Sequence, residues 1–292
     1  MDWTTSHSAG GALFQSKRYS DWPTLSEDLN TGTLGAAFIL APMAMSLKQR
    51  GVPIRIVYLG HRDGTAMMVR ADSDITDVRQ LVGGKVLVPS HYANQYIWLA
   101  RMLKERGLSL DDVDVRDCPP PDMPAMLETG ACDAYIVGEP FAARAEMAGT
   151  GRVLALTKDD WPNFISCVLV VRQELIDGDR ALVQELVDGI AGSGMWLDEA
   201  AEHRMEAAEV AGKYYYNQNP ELLKFVLSKP PDRVKYTQLT PHRADLDEIM
   251  LLAVELGILE RPMDFEEYTD ASFAEGFDGE ILPMPLEGAD AR

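Results

Sequence analysis

From Ala12 to Arg172 the chain alternates short runs rich in Val, Ile and Tyr with stretches whose apolar residues recur at helical spacing. Residues 52–60, 66–71, 85–89, 112–116, 134–137 and 166–172 are such runs, bounded by Gly, Pro or Asp, and predict strands. Tyr92, Tyr96, Leu99, Ala100 and Leu103 share one helical face, and the pattern stops at Gly107, a C-cap glycine after Lys104-Glu105-Arg106. Gly51, Gly130 and Gly149 close similar stretches. Strand and helix in alternation predict an α/β fold with a mostly parallel sheet and helices on its faces. After Arg172 the pattern turns helical. Leu182, Val183, Leu186, Val187 and Ile190 make one stripe; Leu246, Ile249, Met250, Ala253 and Leu256 make another, closed by Gly257. Acid and base alternate over residues 199–209, the mark of a solvated helix face. Beyond Phe277, a stretch with Gly279, Pro283, Pro285 and Gly288 is expected to be poorly ordered.

Composition narrows the class. The 292 residues are 46% hydrophobic and 25% charged, enough to bury the core of one or two globular domains. Lys and Arg number 27 against 46 Asp and Glu, a net charge of −19, which excludes a surface built to neutralise nucleic-acid phosphates. Residues 244–292 hold 14 acidic side chains against two Arg, so −12 of that charge lies in the C-terminal part. Cys118, Cys132 and Cys167 read as free thiols rather than a disulfide framework. The longest apolar run, residues 34–47, is interrupted by Gly35, Pro42 and Ser46 and is too short to cross a bilayer, so no direct membrane insertion is expected. Met1-Asp2-Trp3-Thr4-Thr5 has neither the basic nor the apolar region of an export signal. A true start at Met1 implies a cytoplasmic protein; a start further upstream implies a periplasmic or membrane-anchored one.

The familiar catalytic motifs fail on spacing. His61-Arg62-Asp63 has the order of a kinase catalytic loop, but Met68 stands where that loop needs Asn. Gly83-Gly84-Lys85 lacks the upstream glycine and the following hydroxyl of a P-loop. Gly189, Gly192 and Gly194 run in the wrong order for a dinucleotide fingerprint and are read as helix termination; Ser193 among them is no nucleophile elbow. The five His residues are scattered, and neither HExxH nor CxxC occurs, so no metal site and no cofactor are predicted.

What remains are polar and aromatic residues at the ends of predicted strands, where open α/β sheets bind ligands. Pro42 and Met43 follow Phe38-Ile39-Leu40, with the proline suited to a first helical turn. His61, Arg62, Asp63 and Thr65 form a Gly-flanked loop after Tyr58; Ser90, a candidate N-cap, His91 and Asn94 follow Val88; Glu139 and Phe141 follow Val137. Each loop opens or borders a helix, whose free N–H groups attract small anions. Capping and turn chemistry explain any one of them equally well. Four together point to a ligand cleft.

Three segments carry a resemblance: Leu34-Gly35-Ala36-Ala37-Phe38-Ile39-Leu40-Ala41-Pro42-Met43, Cys132-Asp133-Ala134-Tyr135-Ile136-Val137-Gly138-Glu139-Pro140-Phe141, and the stretch from Trp161 to Arg172. Through them the chain, from about Asp21 to Phe273, resembles the substrate-binding proteins of nitrate/sulfonate/taurine-type ABC importers, the NMT1-like family. The resemblance implies a two-lobed, periplasmic-binding-protein-like (type II) α/β fold with a helical C-terminal part and closure by hinge motion. It places lobe one at 1–67 plus 168–292, lobe two at 68–167, and the crossing strands at 66–71 and 167–172. It implies non-catalytic capture of a small anionic or heterocyclic solute and delivery to a membrane permease. In that cleft His61, Arg62, Ser90, His91, Asn94 and Glu139 would give polar contacts, and Trp22, Trp161 and Phe141 apolar walls, beside Pro42, Met43, Asp63, Thr65 and Cys167.

Two departures qualify the expectation. The chain enters near Gly11-Ala12-Leu13-Phe14, at the family's second strand, so the first strand-helix unit is expected to be missing. A Trp-His-Pro segment ending in Lys marks the nitrate and bicarbonate branches, and here Asn163, Phe164 and Cys167 stand in the matching stretch. Without that lysine, a larger and partly apolar ligand such as a sulfonate or a heterocycle is expected rather than nitrate. Two readings stay beside transport. One is a cytoplasmic ligand sensor derived from such a protein. The other is a pyrimidine-precursor enzyme of the same fold, which needs an inward-facing Lys and a cysteine-rich segment; Lys85 starts a strand, and Cys132 and Cys167 are isolated.

Overall fold

The computed structural model describes residues 14–214 and 218–274. The chain runs through α1 (Trp22–Thr31), β1 (Ala36–Ile39), α2 (Ala41–Gln49) and β2 (Ile54–Asp63). It continues with β3 (Thr65–Arg70), β4 (Lys85–Val88), α3 (Asn94–Glu105), β5 (Asp114–Asp117), α4 (Met123–Glu128) and β6 (Ala134–Gly138). Next come α5 (Phe141–Ala148), β7 (Gly151–Leu156), α6 (Thr157–Asp160) and β8 (Ile165–Arg172). The C-terminal part holds α7 (Gln173–Gly178), α8 (Arg180–Glu199), α9 (Ala201–Tyr214), α10 (Pro220–Ser228), β9 (Val234–Lys235), α11 (Arg243–Glu255) and α12 (Phe265–Tyr268). The stretch beyond Phe277 and residues 11–13, on which two expectations rested, lie outside the described residues.

The strands form two sheets, ordered β1-β8-β2-β9 and β5-β4-β6-β3-β7. The expected mostly parallel sheet is corrected. The first sheet is antiparallel throughout, and in the second only β4 with β5 and β4 with β6 are parallel. Parallel neighbours need a long crossover, and only β4-α3-β5-α4-β6 supplies helices between them. β2 and β3 are joined instead by Asp63 and Gly64, at φ 60° and 70°. A Cβ on Gly64 would lie 2.9 Å from Val234, so position 64 of the turn favours glycine. Neither 66–71 nor 167–172 bridges the sheets. β3 lies wholly in the second and β8 wholly in the first, and the chain passes between them at Asp63-Gly64 and again over α6 to Phe164.

Apolar strands buried on both faces explain the continuous runs in the sequence. Along β6, Ala134 and Ile136 join Val86, Val88, Trp98 and Leu103 on the α3 face. Tyr135 and Val137 point the other way, to Met123, Leu127, Ala142 and Ala145. The first sheet packs Ile39, Ile56, Val168 and Val170 against Met45, Val187, Leu246 and Ile249. α8 runs unbroken through Gly189, Gly192 and Gly194, correcting the expected termination. Gly194 serves close approach: a Cβ there would meet the Tyr236 carbonyl at 2.6 Å. Among the described residues no helix is long and apolar enough to cross a membrane.

Candidate functional site

The parallel strands β4, β5 and β6 end on one side, so the loops after them gather at one edge of the second sheet. Facing them are α1 and β1. Asp21 accepts a hydrogen bond from the Thr24 N–H at 2.8 Å and, with Pro23 in the first turn, fixes where α1 begins. Trp22 is thereby set at the helix start, between two cavities that both include Asp21 and Trp22 in their walls. The larger, about 1040 Å³, is bounded by Phe38, Leu169 and Leu186 on the first sheet's side and by Pro120, Phe141 and Arg144 on the second's. The smaller, about 650 Å³, lies between Met43, Leu47 and Arg50 and, opposite, Ser90, Tyr92 and Cys118.

These walls are apolar over most of their area but carry charge of both signs, with Lys17, Arg18 and Arg144 beside Asp21, Glu185 and Asp188 around the larger cavity. Trp22 Nε1 is buried without a hydrogen-bond partner. A buried donor left unpaired costs about 1–3 kcal/mol, a cost the fold carries at the start of α1. The Arg144 guanidinium lies 5.3 Å over the Phe141 ring, and Arg50 lies 5.9 Å over Tyr92. Among the described residues no group of three or more His, Cys, Asp or Glu is placed to hold a metal ion.

The structure divides the residues singled out from sequence. Trp22, Met43 and Ser90 line the smaller cavity, and Trp22 and Phe141 the larger. Pro42 is buried in the first turn of α2. Ser90 is not an N-cap, because α3 starts after Ala93; its Oγ accepts instead from the Tyr92 N–H at 3.1 Å. The loop expected at His61-Arg62-Asp63 is strand, with His61 paired to Cys167 and Arg62 to Ile165 across β2 and β8. Arg62 donates to the carbonyls of Gln238 (2.7 Å) and Asn163 (2.9 Å) and pairs with Asp245. Asp63 accepts from the Phe164 N–H at 3.2 Å and pairs with Lys235 at 3.1 Å. Thr65 Oγ1 accepts from Gln95 at 3.2 Å, and Asn94 donates to the Ile165 carbonyl. Both amides keep a buried oxygen without a partner.

His61 Nδ1 is likewise buried and unpartnered, and burial pulls its pKa down to about 4, so the ring is neutral at pH 7. His91 pairs with Asp117 at an exposed position. Glu139 is nearly dry and pairs with Arg233 at 2.6 Å. Trp161 packs edge-on against Phe164 at 5.6 Å, beneath Arg101. Burial pushes the Cys167 thiol up to about 11. Sequence reasoning missed Phe38, Tyr92, Arg144 and the loop of Pro119, Pro120 and Pro121. The three consecutive prolines at the end of β5 are the signal that marks that loop.

Two packed sheets flanked by helices, with cavities walled from both, define the class: a two-sheet α/β fold with a cleft. The chain matches the model of the NMT1-like family over residues 5–212 and belongs to that family. Its fold is shared with the ligand-binding component of an ABC-type import system from Staphylococcus aureus solved with zinc bound (TM-score 0.79, 24% identity, 90% of this chain and 87% of that one). It is shared also with the periplasmic nitrate-binding protein NrtA from Synechocystis (TM-score 0.78, 18% identity, 88% and 78%). The nitrate/nitrite binding protein NrtA of Nostoc sp. is 23% identical over 223 residues, 68% of this chain and 50% of that protein. The chain thus spans about half the length of that relative. A desulfurization enzyme, DSZB, has the same fold at TM-score 0.61 and 19% identity, covering 82% of this chain and 84% of that one.

Proposed function

We propose that this chain is the solute-binding component of an ABC importer of the nitrate/sulfonate/bicarbonate kind. It captures a small anionic or heterocyclic solute between lobe one (1–67 plus 168–292) and lobe two (68–167), outside the cytoplasm, and passes it to a membrane permease. The observation that carries this is the pair of cavities, each walled from both sheets, with Trp22 at the start of α1 lining both. The similarity to binding components of import systems supports the same reading. The apolar surroundings of Phe38, Phe141 and Leu186 favour a solute with an apolar body and one acceptor-rich end. An enzymatic role finds less support. Burial raises the Cys118, Cys132 and Cys167 thiols above their ordinary range, which keeps them protonated and poor nucleophiles.

Thermal-shift titration tests the proposal with nitrate, bicarbonate, methanesulfonate, taurine, benzenesulfonate and an aminopyrimidine as probes. A probe present at 100 times its Kd stabilises the protein by about 2.7 kcal/mol. Stabilisation by one or more of them, lost on Trp22→Ala, supports capture. No stabilisation by any of them overturns it.

A further inference from the structure

Gly64, where the chain first passes from one sheet to the other, is held on both sides. Its N–H donates to the Arg233 carbonyl and its carbonyl accepts from the Glu139 N–H, each at 2.8 Å. The side chains of the same two residues close the ring, with Arg233 Nε 2.6 Å from Glu139 Oε1. The guanidinium also reaches Glu146 Oε2 at 2.9 Å and the Lys229 carbonyl at 2.8 Å. Glu139 and Glu146 bracket the beginning and end of α5, and Glu139 Oε2 accepts from the Ala143 N–H in its first turn at 3.0 Å. Arg233 belongs to the segment leading into β9 of the first sheet. One side chain therefore ties both ends of a second-sheet helix to the first sheet. Ala143 of α5 adds an apolar contact to Leu222, Val226 and Val234.

The opposite flank is built differently. There α3 meets α11 through ion pairs from the partly exposed Arg101 to Glu248 and from the exposed Lys104 to Glu255, while at its N-terminal end Ala93 and Ile97 are buried in the first sheet's core and Asn94 donates to the Ile165 carbonyl. Exposed pairs contribute little, whereas the side chains of Arg233 and Glu139 are only 2% and 5% exposed, and breaking a buried pair is costly. α5 also supplies Phe141 and Arg144 to the larger cavity.

We propose that Arg233 is a positioning residue for solute capture. It fastens the α5 wall of the larger cavity to the first sheet through Gly64, so that Phe141 and Arg144 keep their place opposite the first sheet's wall of that cavity. The assignment of a purpose rests on the capture reading; the mechanical coupling does not.

Hydrogen exchange read by mass spectrometry, with no solute present, tests the coupling in wild type, Arg233→Lys and Glu146→Gln. Lysine keeps the charge but lacks the planar fork whose separate nitrogens hold Glu139, Glu146 and the Lys229 carbonyl at once. The Glu146 side chain is one-third exposed, so its variant keeps the fold if the lysine variant does not. Exchange in peptides covering 62–66 and 138–146 is expected to quicken about tenfold or more while peptides covering β8 and α11 keep wild-type rates. Uniform acceleration throughout the chain, or no change in the 62–66 and 138–146 peptides, overturns the proposal. Failure of every probe in the thermal titration counts against capture alone, because exchange is measured without them.

Discussion

Arg62 Nη2 lies 2.8 Å from Asp245, a residue 183 positions further along the chain, and its other nitrogens hold the carbonyls of Gln238 and Asn163. The guanidinium is thus a strut between β2, the segment before β8 and the start of α11. Arg62→Met is expected to destabilise the fold by about 2–4 kcal/mol, because two carbonyls lose their donor and a carboxylate its partner. Asp245→Asn should cost about 1 kcal/mol or less, since that carboxylate is 38% exposed. Urea unfolding of both variants checks the order. Equal small losses would mean that the strut carries no load.

His61 gives the fold a defined acid sensitivity. Its pKa is lowered by burial to about 4 from 6.5, so the folded state prefers the neutral ring. A depressed folded pKa means that this stability is fully present above pH 6.5 and is lost as pH falls toward 4. The contribution is of order 3 kcal/mol at neutral pH. Wild type minus His61→Gln should show a stability difference that shrinks across that window, measured by denaturant unfolding at several pH values. A difference independent of pH would place the ring in contact with water.

Gly64→Ala tests the turn between the sheets. The substitution forces a side chain onto φ 70° and against Val234, at a cost of about 1–3 kcal/mol for the backbone alone. Gly83→Ala is the control, because it also sits at positive φ but faces open space. The larger loss of melting temperature is expected at Gly64.

How much of this was legible in the sequence follows from what each signal encodes. The strands β2, β3, β4, β6 and β8 and the helix α3 stood out because Val, Ile and Tyr runs lie between Gly and Pro. β7 did not, since Gly151-Arg152-Val153-Leu154-Ala155-Leu156 is a half-buried edge strand whose arginine turns back to the Ser73 carbonyl. The antiparallel first sheet was beyond reach, because β8 slots between β1 and β2 from more than 100 residues away and no local periodicity records such a pairing. The site shows the same limit. Trp22, Met43, Ser90 and Phe141 line the cavities, the last three beside strand ends and Trp22 at the start of α1, a helix that no strong apolar stripe announces. Arg62, Asp63 and Glu139 look alike in sequence whether they meet a solute or a distant ion, and here each meets an ion: Asp245, Lys235 and Arg233.

Trp22→Phe separates the two things the indole does. The phenyl ring keeps most of the apolar wall shared by the cavities but removes Nε1, a buried donor without a partner. Stability without solute should therefore hold or rise slightly, because deleting an unsatisfied donor removes its desolvation cost. Affinity for an oxygen-bearing solute should move the other way. If the solute supplies the missing acceptor, the variant loses one hydrogen bond, a weakening of about tenfold for ~1.4 kcal/mol. The two measurements, unfolding without solute and calorimetric titration with the tightest probe of the thermal screen, must diverge. If Trp22→Phe leaves affinity unchanged, the indole is only a wall, and the polar end of the solute lies elsewhere in the cleft, with Arg144 the next residue to test.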